Sequence, residues 1–498
     1  MKNILQNLSR VHIQISIKSH ILVLCTLFGF YLSALEHPNI ILMVADDHGC
    51  ADISVLGIHD DVETPAIDRL INEGTYYTHA YANAPICNVS RTALMTGIHQ
   101  AKLGAYWYSN PGMKHKTSAS LAEFLQGQAY ATGYVGKVHY GSSDPHSVDF
   151  PLNHGFDEFF GFCGGRKHYL SHDDELESEF IAGQKRANRS SANPVKGGTS
   201  LAKFETLKKG SFWRNKQKVE VKGFATEIFG KEARTFIKKH KQDKFFLHLS
   251  FNAVHNFTHQ LPKSYLSKHK LNSVQDWDPE KEDYLEWYKK GRYPNNPQGR
   301  EYYLGHLEYM DREIGKILDI LSDLEIKEKT MIIYASDNGG STPIYASNGA
   351  LRGSKYTLYE GGIRIPLIIV YAKGFRNTRL DQKVSLLDIY PTIVELLGEE
   401  KKDFLDGVAL QLLDDKERNF FWHSGHEKAM LRGDWKYKSV SNNDDAKLEM
   451  VELELGEFLY DLEKDPGEKI NLINDYPEKV NEMRRRFKAW EKTLVQKD

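Results

Sequence analysis

Asn39-Ile40-Ile41-Leu42-Met43-Val44-Ala45-Asp46-Asp47 is the stretch that decides the class of this chain. Its apolar residues follow one another without alternating, which is the pattern of a strand buried on both faces. Two carboxylates come directly after it. The same arrangement recurs three times: Ala131-Thr132-Gly133-Tyr134-Val135 precedes Lys137 and His139, Lys244 to Phe251 precedes His255, and Thr330 to Ala335 precedes Asp337-Asn338-Gly339. Amphipathic stretches separate these runs. Thr64 to Gly74 reads as a helix with an N-cap threonine, a first-turn proline at Pro65 and a closing glycine. Strands alternating with helices predict an α/β fold with a large mixed, mostly parallel sheet flanked by helices.

In such sheets, ligands bind outside the carboxyl ends of the strands. Polar residues also gather after strands simply because loops are wet, and that accounts for one or two such groups. It accounts less well for four whose chemistry is complementary, so one composite site is expected. Beyond about Asp406 the pattern changes to short strands and turns: Asn419 to Trp422, Met430 to Tyr437 and Glu457 to Asp461. A closing helix follows from Pro477, and Ser441 to Glu452 reads as a polar loop or flap. The expected organisation is a signal peptide at 1–35, a catalytic α/β domain at 36–405 and a C-terminal α+β subdomain at 406–498 with a smaller antiparallel sheet.

With 498 residues, 41% of them apolar, the chain can bury a large core. A formal net charge of −2 supplies no field for nucleic acid. Lys185, Arg186, Arg189, Lys208, Lys209, Arg214, Lys216 and Lys218 cluster in a segment read as a solvated insertion, with a basic rim for polyanions as the sharper alternative. The first 35 residues carry Lys2, Arg10 and Lys18, the apolar run Ile21 to Leu32, and Ser33-Ala34 at a cleavage point, as an export signal does. That run is short for a bilayer span, so a periplasmic or secreted protein without a stable membrane anchor is expected. Removing it, with Cys25, leaves Cys50, Cys87 and Cys163, too few for a disulfide framework. Cys87 is the candidate to stay free or be modified.

Asp46, Asp47, Asp337 and Asn338 offer oxygen ligands only, which suits a hard cation such as calcium or magnesium. Arg91, Lys137 and Lys355 add positive charge, and His139 and His255 can move protons. Cys87-Asn88-Val89-Ser90-Arg91 opens a short helix, with Ser90 as the expected N-cap and Gly97 as its stop. A lone cysteine there is most often a small buried hydrophobe. In this company Cys87 is the one nucleophile candidate, although a thiol is an unusual choice for attacking a sulfate or phosphate ester.

The residues resemble the type I sulfatase family of the alkaline phosphatase superfamily. The likeness runs from Asn39 to about Leu472 through Ala45-Asp46-Asp47-His48-Gly49, Cys87 to Arg91 with Thr96-Gly97, Gly136-Lys137-Val138-His139-Tyr140-Gly141, and Gly155 to Gly161. It continues through Ser250 to His255, Ser336-Asp337-Asn338-Gly339-Gly340, Leu351 to Gly362, and Leu459 to Leu462 with Asp465 to Glu468. The resemblance implies that Cys87 is oxidised to formylglycine by a formylglycine-generating enzyme or an equivalent maturase. The hydrated aldehyde then attacks sulfur, and its second hydroxyl lets the sulfate ester collapse. It further implies that Asp46, Asp47, Asp337 and Asn338, with residue 87, hold calcium. Arg91 would stabilise the diol, and Lys137 and Lys355 would bind sulfate oxygens. His139 would assist the elimination, and His255 would protonate the leaving alcohol. Val89 stands where the family usually has Pro, Ala or Ser, Val138 where an aromatic is common, and Val254 where Pro is common.

The leading expectation is an exported sulfatase acting on a sulfated carbohydrate or another small sulfate ester. Export and the aromatic and basic stretch Cys163 to Tyr169 favour the carbohydrate. The alternatives are a phosphonate monoester or phosphodiester hydrolase of the same superfamily, and an unmodified, inactive relative, favoured by Val89, that binds sulfated glycans.

Overall fold

The computed structural model describes residues 37–108, 111–114, 116, 118–165, 169–170, 211–275, 284–412 and 417–494. The expected export signal, Cys25, Arg166, Lys167, His168 and the basic residues Lys185, Arg186, Arg189, Lys208 and Lys209 lie outside them. Among the described residues no helix is long and apolar enough to cross a membrane.

One sheet dominates. Its strands are β1 (Asn39–Ala45), β2 (Thr75–Tyr81), β3 (Ala131–Lys137), β4 (Glu158–Phe162), β5 (Ser211–Arg214), β6 (Gln217–Glu220), β7 (Phe245–Ser250), β8 (Thr330–Ser336), β9 (Arg364–Ile365), β10 (Leu367–Val370) and β11 (Thr378–Ser385). They lie in the order β11-β2-β10-β8-β1-β7-β3-β4-β5-β6, with β9 paired to β2. The central strands β8, β1, β7, β3 and β4 are parallel neighbours. Toward the margins the order turns antiparallel at β10 and in the β5–β6 hairpin, while β11 runs parallel to β2. The parallel character therefore belongs to the middle of the sheet, where helices cover both faces.

The unbroken apolar run of β1 has its reason in that cover. Ile41 and Met43 pack into a layer with Phe229 and Phe236 of helix Ala225–Lys239 and Ile314 and Ile317 of helix Gly299–Asp323. Ile40, Leu42 and Val44 face the opposite layer with Leu94, Met95, Leu121 and Leu125. Alternation along the strand sends successive side chains to two dry faces, so every position is apolar. Burying each such side chain contributes about 1.5–3 kcal/mol. Helix α1 (Pro65–Glu73) begins after Thr64 as expected, but the threonine makes no side-chain cap; its hydroxyl bonds to Asp68 at 3.1 Å.

A second sheet of four antiparallel strands, β12 (Asn419–His423), β13 (Glu427–Arg432), β14 (Trp435–Val440) and β15 (Gly456–Asp461), follows in simple order. The segment read as a polar loop, Ser441 to Glu452, contains a short helix at Asp444–Leu448. Helix Pro477–Glu491 covers one face of this sheet, where Val480, Met483 and Phe487 meet Met430, Tyr437 and Leu459. The period of two sends Lys436 and Lys438, on either side of Tyr437, to the other face. There both are fully buried. Lys436 pairs with Glu360 and Glu468, each at 2.9 Å, and Lys438 pairs with Glu427 at 2.9 Å. The same carboxylates accept backbone bonds from the Leu351–Gly362 stretch, Glu427 from Leu358 N at 3.1 Å and Glu468 from Glu360 N at 2.6 Å. The small sheet thereby clamps the loop that carries Lys355.

Removing one partner of a buried ion pair leaves an uncompensated charge, so Lys436→Met should cost about 3–5 kcal/mol. Urea unfolding checks this, and an unchanged midpoint would show the clamp to be dispensable.

Candidate active site

Parallel pairing of β3, β7, β1 and β8 brings the four expected polar groups to one edge. Backbone bonds continue beyond the strand ends: Asp46 N donates to Ala253 O at 2.9 Å, and Asp337 N donates to Ala45 O at 3.1 Å. The loops after β1, β7 and β8 are therefore held in register with one another. At the end of β3, Gly136 has φ 111°, and a Cβ there would lie 1.8 Å from Ser250 O. Only glycine lets β3 approach β7 closely enough to deliver Lys137.

From the other side comes helix α2 (Cys87–Thr96), buried along its whole length. It starts four residues earlier than Ser90 predicted: Ile86 is the N-cap position, Ser90 lies inside, and Gly97 ends the helix at φ 66°. Cys87 is thus the first helical residue, at the positive end of the helix dipole. Arg91, one turn on, spans the site. Its Nε bonds Asp337 Oδ2 at 2.7 Å, its Nη1 donates to Lys137 O at 3.2 Å and to Ser250 Oγ, and its Nη2 has no hydrogen-bond partner among the described residues, with Asp46 Oδ1 at 3.8 Å.

Lys137 Nζ pairs with Asp46 Oδ2, both wholly buried. Lys355 Nζ lies 2.7 Å from Asp47 Oδ1 and 3.2 Å from Cys87 Sγ. His255 Nε2 is 3.7 Å from Asp47 Oδ2. Asn338 Nδ2 donates to Asp47 Oδ1 at 2.8 Å, and Asp47 N to Asp337 Oδ1 at 3.3 Å. Every site residue expected from sequence except His139 is joined in this network. His139 is half-buried after β3, its ring so close to Gly165 that a Cβ there would stand 2.6 Å from Nε2.

Electrostatics follow from packing three carboxylates and three cations away from water. Burial pushes the Asp46 carboxyl up to about 7, with Lys137 pulling the other way. Burial alone would raise Asp337 too, but Arg91, then Lys137 and Lys355, hold it below the usual carboxylate range. Lys355 would be lowered by burial; Asp47, then the neighbouring thiol, keep it well above the ordinary lysine value. Burial pushes the Cys87 thiol up to about 11 against the pull of Lys137 and Lys355. As a thiol, Cys87 is therefore protonated and a poor nucleophile near neutral pH.

The donor set can hold a metal ion. Asp46 Oδ1 and Asn338 Oδ1 are buried without hydrogen-bond partners among the described residues, and ligand atoms of Asp46, Asp47, Cys87 and His255 all lie within 4.8 Å of one another. Of the supporting residues, Ser250 and Tyr134 were not singled out from sequence, yet both donate to Lys137 O at 2.6 Å. Ser250 sits in a quoted motif, whereas Tyr134 reads as ordinary strand. Val89 packs with Ala84, Ile86, Ala105, Trp107 and Tyr356. Cys50, Cys87 and Cys163 are all free thiols, so Cys50 and Cys163 do not pair.

A family model described as Sulfatase matches residues 38–399. An N-acetylgalactosamine-6-O-sulfatase of Bacteroides thetaiotaomicron is 25% identical, over 90% of this chain and 92% of that protein. Arylsulfatase D of Homo sapiens is 29% identical, over 75% of this chain and 68% of that protein. Among solved structures, Ps i-CgsB in complex with k-i-k-neocarrahexaose superimposes with a TM-score of 0.73 at 26% identity, covering 93% of this chain and 94% of that one. A phosphonate monoester hydrolase of Agrobacterium radiobacter shares the fold, with a TM-score of 0.60 at 17% identity over 92% of this chain and 96% of that one.

The position of the thiol predicts its reactivity. In protein carrying unmodified Cys87 and stripped of divalent cations, alkylation by iodoacetamide at pH 8 should be far slower than for an exposed cysteine. It should rise about tenfold per pH unit until the pH nears 11, because only the thiolate reacts. Peptide mapping of timed samples reads the rate, and fast labelling at pH 8 would contradict the assignment.

Proposed function

Because the chain belongs to the sulfatase family, a family of sulfuric ester hydrolases, we propose that it is an exported, calcium-dependent enzyme that removes sulfate from a carbohydrate through a formylglycine made from Cys87. The observation that carries this reading is the single buried network joining Cys87, Arg91, Lys137, Lys355 and His255 to Asp46, Asp47, Asp337 and Asn338. A protonated thiol at the head of α2 has little to offer an ester. An aldehyde at position 87 would supply, as its hydrate, the oxygen nucleophile that the site otherwise lacks.

Asp46, Asp47, Asp337 and Asn338, together with residue 87, would hold calcium, which there would offset the charge of the sulfate oxygens. Lys137 and Lys355, now paired with Asp46 and Asp47, would bind those oxygens. Arg91 would steady the nucleophile through Nη2, the nitrogen that Asp337, Lys137 and Ser250 leave over. His255, beside Asp47, would give a proton to the leaving alcohol, and His139 would take one as sulfate departs. Relatives support the carbohydrate reading: one is named N-acetylgalactosamine-6-O-sulfatase, and another was solved in complex with k-i-k-neocarrahexaose. Active protein would need a maturase in its host to convert Cys87.

The peptide containing Cys87, taken from protein made in its native host, should carry the mass of the aldehyde form, and thiol alone would point to an inactive glycan-binding relative. Cys87→Ala should abolish sulfate release, and Lys137→Ala and Lys355→Ala should each lower kcat/KM by about 100-fold or more, the scale of losing one transition-state donor. Calcium should restore the activity that a chelator removes. With one leaving group offered as sulfate ester and as phosphate diester, faster turnover of the diester would overturn the sulfatase assignment.

A further inference from the structure

We propose that Arg292 receives a second anionic group, a carboxylate or another sulfate ester, on the part of the substrate that departs. This rests on the sulfatase reading and specifies its substrate class: a glycan fragment with at least two anionic groups.

Arg292 is only 5% exposed. Its Nη2 donates to Asn256 Oδ1, and its guanidinium carbon lies 3.9 Å from the centroid of the Tyr288 ring. Among the described residues no carboxylate pairs with it. Arg91, the other arginine buried as deeply among the described residues, pairs with Asp337, and the half-buried Arg300, Arg364 and Arg418 pair with Asp52 and Asp61, with Glu360 and with Asp388. A cation withdrawn from water without a counter-ion is costly, and a planar fork of donors is matched by a carboxylate or a sulfate.

Both of its neighbours lead to the reaction centre. Asn256 directly follows His255, the group assigned to the leaving alcohol. Tyr288 feels its way into the same cluster as Tyr356, whose phenol senses Glu449, Tyr108, Lys355 and Tyr288. Glu449 accepts the Tyr288 hydroxyl at 2.8 Å. Tyr108 is 42% exposed beside Tyr356, with ring centroids 6.4 Å apart, and offers an aromatic face against which a sugar can pack. Arg292 therefore adjoins the leaving-group side of the site, where a substituent on the departing sugar would lie.

The test measures binding by calorimetry on Cys87→Ala protein, which needs no turnover. The probes are N-acetylgalactosamine 6-sulfate, its 4,6-disulfate, and the 6-sulfated disaccharide that adds a uronate. The expected result is tighter binding of the disulfate or the uronate probe than of the monosulfate, and that difference identifies which anion Arg292 accepts. Arg292→Gln should reduce the preference by about tenfold or more, and Arg292→Lys should restore part of it. Equal weakening of all three probes would mean that Arg292 only supports His255 and would overturn the proposal, as would a wild-type protein that prefers neither two-anion probe. If Arg292→Gln does not fold, the Lys variant, which keeps charge but loses the fork, gives the same comparison. A selective protein that releases no sulfate from any probe when position 87 carries the aldehyde would defeat the sulfatase reading and leave the anion site standing.

Discussion

Parallel hydrogen bonding among β3, β7, β1 and β8 is the constraint on which the site depends. Parallel neighbours end on the same side, so Lys137, His255, Asp46-Asp47 and Asp337-Asn338 leave the sheet at one edge although they come from distant parts of the chain. The register goes on past the last residues of the strands, through Asp46 N to Ala253 O and Asp337 N to Ala45 O. Side chains on such short, cross-tied loops keep little freedom, which is what a site made of opposed charges requires.

The second requirement is charge balance. Asp46, Asp47 and Asp337 face Arg91, Lys137 and Lys355 in a region without water contact, and each group is tolerable because the others are there. Lys355 does not belong to the sheet edge. It arrives on the Leu351–Gly362 stretch, tied to the cysteine loop by Tyr356 N to Pro85 O at 2.8 Å and to the small sheet by Glu427 and Glu468. The buried pairs of Lys436 and Lys438 thus act on the site at a distance, by setting where the Lys355 cation can stand.

Much of this was legible beforehand. The unbroken apolar run at β1, the four strand ends and the antiparallel C-terminal strands followed from periodicity, and the relation to sulfatases followed from combined motifs. The places where local reading erred are informative. Ser90 has the chemistry of an N-cap, yet α2 begins at Cys87, because Val89 is drawn into an apolar cluster with Trp107 and Tyr356 and the helix extends to bury it. Thr64 stands at its cap position but spends its hydroxyl on Asp68. In both cases tertiary packing or a competing hydrogen bond outweighed a preference of about 1 kcal/mol.

By itself the sequence determined which residue types could meet: oxygen donors, cations, proton carriers and one cysteine, each placed after a strand or at the head of a helix. Period and spacing act over a few residues, so they speak only of such local placements. Only the tertiary structure decided that Arg91 would bind Asp337 and leave one nitrogen over, that Lys355 would lie between Asp47 and Cys87, and that Arg292 would be buried against Asn256 with no carboxylate partner among the described residues. Those outcomes depend on contacts between segments dozens to hundreds of residues apart, whose geometry is set by how the sheet twists and how its loops pack.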